Sequence, residues 1–164
     1  MTRDYTWNLH ASSVSKLSRY RLCDNYLRFY LRYIEPNTLN ILKDRDALPR
    51  GIASIMGLQF ENLVLNNTKR IQKILSISPE DIVVDNPYFQ KATQKKAGVQ
   101  IDYMILTRFH TLYICEIKFH QEALDLSVIK EVKQKMQAMQ LPKGHSLRPV
   151  LIHVIDFSRF LEES

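Results

Sequence analysis

Glycine is scarce in this chain. Gly51, Gly57, Gly98 and Gly144 are the four among 164 residues. Neither G-x-x-x-x-G-K-[ST] nor G-x-G-x-x-G can be written with them, so both phosphate-cradling loops are absent and no ATPase activity is expected. Cysteine is scarcer still. Cys23 and Cys115 lie far apart and form no C-x-x-C, a usage that suits buried thiols in a reducing cytoplasm. None of the five histidines stands at metal-ligand spacing from a cysteine or beside a credible nucleophile. No apolar run approaches the ~18 residues of a membrane span, and the polar, charged N-terminus is unlike a signal peptide. A cytoplasmic chain with no membrane association is expected.

What is present is ordinary in bulk. Hydrophobic residues make up 45% and charged residues 24%, as in a globular domain with a real core. The formal net charge of +6 tilts the expectation toward an acidic partner such as nucleic acid.

Residues 1–20 are polar and show little periodicity, although "KLSRYRLC" (16–23) alternates as a short strand. Asp24 suits an N-cap, and Leu27, Tyr30, Leu31 and Ile34 then recur at helical spacing, with an end expected before Pro36. Residues 35–50 read as a loop. A long helix is expected over 52–76, with an apolar face that includes Ile55, Met56, Phe60, Leu63, Val64 and Ile74. A strand follows at 82–89, ending at Pro87, then a basic loop, 90–98. A second helix spans 125–139, with Leu126, Ile129, Val132, Met136 and Met139 on one stripe. "VLIHVI" (150–155) reads as a buried strand.

Between the basic loop and the second helix stands "GVQIDYMILTRFHTLYICEIKF" (98–119), two apolar strands around a turn. It carries Asp102, Glu116 and Lys118 within oily runs. With Phe109 at the turn, Asp102 faces Glu116 and Gln100 faces Lys118. Directly opposed residues have Cβ atoms about 4.5–5.5 Å apart, so two carboxylates there need a cation. One candidate is Lys118, in a cross-strand salt bridge. The other is a divalent metal such as Mg²⁺, which takes hard oxygen ligands. Glu61, on the edge of the first long helix, is placed to join such a site if that helix packs on the hairpin. Lys133, at the edge of the second helix's stripe, is either a phosphate contact or a snorkelling lysine.

"IDYMI" followed by "YICEIKF" resembles the D…E-x-K signature of the PD-(D/E)xK, or restriction-endonuclease-like, superfamily. "GLQFENLV" resembles its accessory helical acid, and the order helix, strand, strand, strand, helix, strand is similar to its common core. Ile101 stands where that signature often has proline. Across residues 16 to 155, "RLCDNYLRFYLRYIEPN", "IMGLQFENLVLNN", "NPYFQ", "TLYICEIKF" and "RPVLIHV" together resemble the C-terminal domain of prokaryotic AAA-type ATPases of the archaeal ATPase family.

The resemblance implies an α/β fold with a restriction-endonuclease-like αβββαβ core. A mixed central sheet flanked by helices would occupy residues 51–164. Residues 1–50 would form an N-terminal helical extension: the remnant strand of a winged helix plus one helix. The implied activity is Mg²⁺- or Mn²⁺-dependent phosphodiester hydrolysis in DNA. Asp102, Glu116 and the carbonyl of Ile117 would hold metal, Glu61 would serve a second metal or its water, and Lys118 would orient the attacking water. Lys91, Lys95, Lys96, Lys130 and Lys133 would contact the nucleic-acid backbone. The alternative is a non-catalytic docking or DNA-binding module acting with a separate AAA-type ATPase, and a homo-oligomer is compatible with either.

Overall fold

The computed structural model describes residues 1–43, 51–94, 97–119, 126–139 and 141–154. The apolar alternation around Phe109 folds as two antiparallel strands, β1 to βn being numbered along the chain: β4 (Val99–Thr107) and β5 (Thr111–Lys118). They turn through Arg108–His110, where His110 has a φ of 57°. Tyr103 pairs with Cys115, Met104 with Ile114, Ile105 with Tyr113 and Leu106 with Leu112, the register expected of a turn centred on Phe109. β3 (Ile82–Gln90) adds antiparallel to β4, and β6 (Ser146–His153) adds parallel to β5. The sheet order is β3-β4-β5-β6.

Both faces of this sheet are covered. α3 (Ile52–Leu65) and α4 (Thr68–Ile74) bury Val64 against Tyr103, Ile105, Cys115 and Ile117, with Phe60, Ile71 and Leu75 beside them. α5 (Leu126–Ala138) leads to the other face, where Met136 and Met139 meet Met104, Leu106, Leu112 and Ile114. The chain is therefore α/β, with a mixed four-stranded sheet and several helices. Burying both faces explains why β4 and β5 read as oily runs rather than clean alternations.

Several elements depart from their expected bounds. β3 does not end at Pro87. Asn86 pairs with Met104 and Tyr88 with Ile101, so Pro87 alone opposes the two residues Asp102 and Tyr103. This is a β-bulge, and proline is tolerated across it because it has no N–H to lose from the ladder. The first long helix breaks into α3 and α4 at Asn66–Asn67, where the Asn67 side-chain amide donates to the Leu63 carbonyl at 2.7 Å, an alternative to helical bonding. Within its apolar face, Leu63 and Ile74 are exposed. On α5 the buried residues are Val128 and Val132, with Ile129 exposed. β6 is half-exposed rather than buried, because in this sheet it has a neighbour on one side only.

Residues 1–43 hold more structure than one strand and one helix. β1 (Thr2–Asn8) and β2 (Ser13–Arg21) form an antiparallel hairpin. It docks on β3: Phe89 N–H donates to Thr6 Oγ1 at 3.0 Å, and the Asn86 side-chain amide donates to the Tyr5 carbonyl. Asp24 does cap a helix, accepting from Leu27 N–H at 2.8 Å. That helix, α1 (Asn25–Phe29), passes through a π-helical turn (Tyr30–Ile34) into α2 (Glu35–Lys43) instead of stopping before Pro36. The Glu35 N–H reaches back to the Tyr30 carbonyl. This wider turn resets the hydrogen-bond register, so Pro36 falls in the first turn of α2, where a missing N–H is least costly.

Candidate active site

The bulge in β4 aims Asp102. Ile101 and Met104 are both fully buried in the same core cluster, which strict alternation would put on opposite faces. The intervening kink ends the β4–β5 pairing at Tyr103–Cys115, one pair short of Asp102–Glu116. Asp102 Oδ2 instead accepts the Ile117 N–H at 2.9 Å, replacing a ladder bond with a side-chain one. Gln100 is likewise not opposite Lys118. It pairs with Phe89 and accepts from Arg19 at 2.7 Å.

Asp102 lines a cavity of about 230 Å³ together with Glu61, Arg19, Arg21 and Arg28. Asp102 is half-buried, and burial first, then the Glu116 charge, push its carboxyl up to about 6, against the Ile117 N–H; Glu61 adds to the rise. Glu61 is also raised, by burial, although Arg28 and Arg21 oppose the shift. Among the described residues neither carboxylate forms an ion pair. The cavity thus holds two acids whose ionisation is disfavoured, ringed by guanidinium groups. Arg21 is spoken for by Asp4 at 2.9 Å and Asn62 Oδ1 at 2.6 Å.

Glu116 lies on the other side of this arrangement. It shares the face of Leu112 and Ile114 and points to α5. Its carboxylate is 2% exposed and meets Lys135 Nζ with both oxygens at 2.7 Å, and Lys118 Nζ at 2.9 Å. Glu131 closes the ring, 3.1 Å from Lys118 and 2.9 Å from Lys135. Burial alone would lower both lysines, and the two carboxylates outweigh it and raise them. The lysines, led by Lys135, hold Glu131 below the usual carboxylate range.

Glu61 and Asp102 therefore share one cavity, and Glu116 and Lys118 share a charge cluster next to it. Among the described residues no group of three or more His, Cys, Asp or Glu is arranged to hold a metal ion. Glu61 and Asp102 do fit a cation of the Mg²⁺ type, which usually takes only one or two carboxylates from the protein. Glu116, held by two ammonium groups, does not fit as it stands. Ile117 contributes its N–H to Asp102 and pairs alongside Ile152 of β6.

Lys133 is exposed and stands away from the acids, beside an apolar groove between α5 and β6. Lys91 and Lys130 are also exposed, while Lys95 and Lys96 lie outside the described residues. Besides Lys118, the lysine that reaches Glu116 and Glu131 is Lys135 of α5, which sequence reading missed. Its signal was the spacing Glu131–Lys135, an i,i+4 pair. The arginines of β2 and α1 were missed too, because nothing local in "RYRLC" tells that β2 lies against α3 and β4. No helix among the described residues is long and apolar enough to cross a membrane. No family model and no curated protein matches this chain.

Proposed function

We propose that this chain is a metal-dependent nuclease of the restriction-endonuclease-like class that hydrolyses phosphodiester bonds in DNA. The observation that carries the reading is the cavity in which Glu61 and Asp102 stand together among arginines. Two carboxylates that repel each other and resist ionisation, close to cationic groups, suit a site completed by a divalent cation and a phosphate. Glu61 and Asp102 would hold Mg²⁺ or Mn²⁺. When bound, that ion supplies Lewis-acid polarisation of a phosphoryl oxygen and lowers the pKa of a water.

The remaining roles belong to the protein. The Ile117 N–H fixes the Asp102 carboxylate in the bulge, so its orientation is set before any ligand arrives. Lys118, to which the resemblance gives the orienting of the attacking water, is paired with Glu116 and Glu131 in the charge cluster next to the cavity, and Lys135 shares those two partners. Glu116 and the Ile117 carbonyl belong to the ligand set that the resemblance implies. Because Glu116 is held by two lysines, support for the metal reading comes from Glu61 and Asp102.

The test is cleavage of plasmid and single-stranded DNA with Mg²⁺ or Mn²⁺. Cleavage should be lost in Asp102→Ala and reduced at least about a hundredfold in Lys118→Ala, the scale of losing one charge-stabilising donor. Activity that survives both changes would sink the assignment.

A docking module for a separate AAA-type ATPase is the second reading. It is favoured by α1–α2, where Tyr26, Leu39 and Leu42 are 77%, 75% and 66% exposed. Capture of such an ATPase by a chain that neither binds Mn²⁺ nor cleaves DNA would select it.

A further inference from the structure

Part of the cavity wall comes from β2 and α1, outside the segment that the D…E-x-K resemblance covers. The hairpin brings with it an aromatic surface that core packing does not explain. Arg3 pairs across the ladder with Tyr20, and Tyr5 follows on the same face. The Arg3 guanidinium lies 4.8 Å from the Tyr5 ring centroid and 5.7 Å from that of Tyr20. Tyr20 is 69% exposed and Tyr5 41%. Rings held in place by a cation, yet open to solvent, present flat faces on which unpaired bases stack.

Tyr20 also lines the cavity, so this surface borders it, while its neighbours Arg19 and Arg21 alternate to the other face of the hairpin. Within the cavity two guanidinium groups are held in position without a carboxylate partner among the described residues. Arg19 lies 4.4 Å from the Phe89 ring centroid and is fixed by Gln100 at 2.7 Å. Arg28 is fixed by the Leu58 carbonyl at 3.0 Å. A guanidinium has five donors in a rigid fork, so each retains N–H groups suited to phosphate oxygens.

We propose that the N-terminal hairpin makes single-stranded nucleic acid the substrate of this site. Bases stack on Tyr5 and Tyr20, and the backbone passes Arg19 and Arg28 on its way to Glu61 and Asp102. A duplex keeps its base faces stacked inside and offers none to these tyrosines. The direction of the strand toward the acids rests on the nuclease reading; the binding surface does not.

Fluorescence anisotropy in EDTA tests the surface without any cleavage. The probes are labelled oligo-dT, labelled oligo-rU and a labelled duplex of the same length. At least one single strand should bind about tenfold or more tightly than the duplex. Tyr20→Ala and Tyr5→Ala should each weaken it about tenfold, the scale of one base stacked on one ring. Tyr20→Phe should bind as the parent does, since stacking needs the ring and not the hydroxyl. A duplex bound as tightly as both strands, or tyrosine variants that bind unchanged, would overturn the proposal. Cleavage with Mn²⁺ is read separately. Strand binding without cleavage counts against the nuclease and for the surface, and cleavage that prefers duplex does the reverse.

Discussion

Lys133 and Lys135 lie two residues apart on α5, and their surroundings differ in every respect. Lys133 is solvated at the lip of an apolar groove, whereas Lys135 gives both oxygens of a buried carboxylate their partner. Removing one member of a buried ion pair leaves a charge that cannot rehydrate. Lys118 still faces Glu116 in Lys135→Ala, so the loss is partial, roughly 1–3 kcal/mol. Lys133→Ala should change stability by no more than about 0.5 kcal/mol. Urea unfolding of the two variants checks the contrast; equal midpoints would contradict the cluster. Asp102 carries a second prediction. Its folded-state carboxyl is raised to about 6 from 3.8, so the folded chain binds that proton more tightly than the unfolded one. Stability therefore falls as pH rises from about 4 to about 6, and the penalty is fully present above that. In metal-free buffer at pH 7, Asp102→Asn removes it while its amide oxygen still accepts the Ile117 N–H. The variant should be more stable there by up to about 3 kcal/mol, with the gain gone near pH 4, as thermal melts across that range will report. Asp102 and Glu116 were legible in the sequence because acids in apolar runs are conspicuous. That one opens into a cavity while the other is neutralised by lysines was not legible, since a bulge and a helix from elsewhere decide it.

At the scale of elements, the strands were read best where alternation and turn agreed. Next to the turn the β4–β5 register follows from the position of Phe109, but the bulge ends it at Tyr103–Cys115, so the expected pairs Asp102–Glu116 and Gln100–Lys118 do not form. The errors fall where one residue's local preference met a tertiary partner. Pro36 signals a stop, and a π-helical turn carries the helix past it; Pro87 signals a strand end, and a bulge accommodates it. The hairpin of β1 and β2 was hidden because its exposed face is polar and aromatic rather than aliphatic. One residue ties these elements together. Asn62, fully buried on α3, accepts from Arg21 at 2.6 Å and donates to the Leu22 carbonyl at 3.0 Å and Asn25 Oδ1 at 2.9 Å. It links α3 to the end of β2 and the start of α1 at once. Asn62→Leu keeps the approximate volume but orphans a guanidinium donor and a carbonyl, at a cost of about 2–3 kcal/mol. If the link matters for the cavity wall, hydrogen exchange should quicken in β2 and α1 more than in β5. Uniform quickening through the sheet would instead mean that Asn62 acts on the core as a whole.

For the whole molecule, the formal charge of +6 matters through where the positive groups are left uncommitted. Asp4 takes Arg21, Asp81 takes Arg108, and Glu116 and Glu131 take Lys118 and Lys135. Arg3, Arg19 and Arg28 have no carboxylate in contact among the described residues; Arg19 and Arg28 line the cavity, and Arg3 stands against Tyr5 and Tyr20 on the hairpin face. If they are the groups that meet phosphates, strand binding must weaken with salt in proportion to their number. For a single strand the slope of log K against log salt is about −0.7 per neutralised phosphate, so three contacts give about −2. Replacing Arg19 or Arg28 by Ala should reduce the slope by about 0.7. Tyr5→Ala and Tyr20→Ala remove stacking and no charge, so their lines should run parallel to the parent's at lower affinity. Stacking and charge are thereby separated in one salt titration of the anisotropy signal. Tyrosine variants that change the slope, or arginine variants that leave it untouched, would show that the strand takes some other path across this basic molecule.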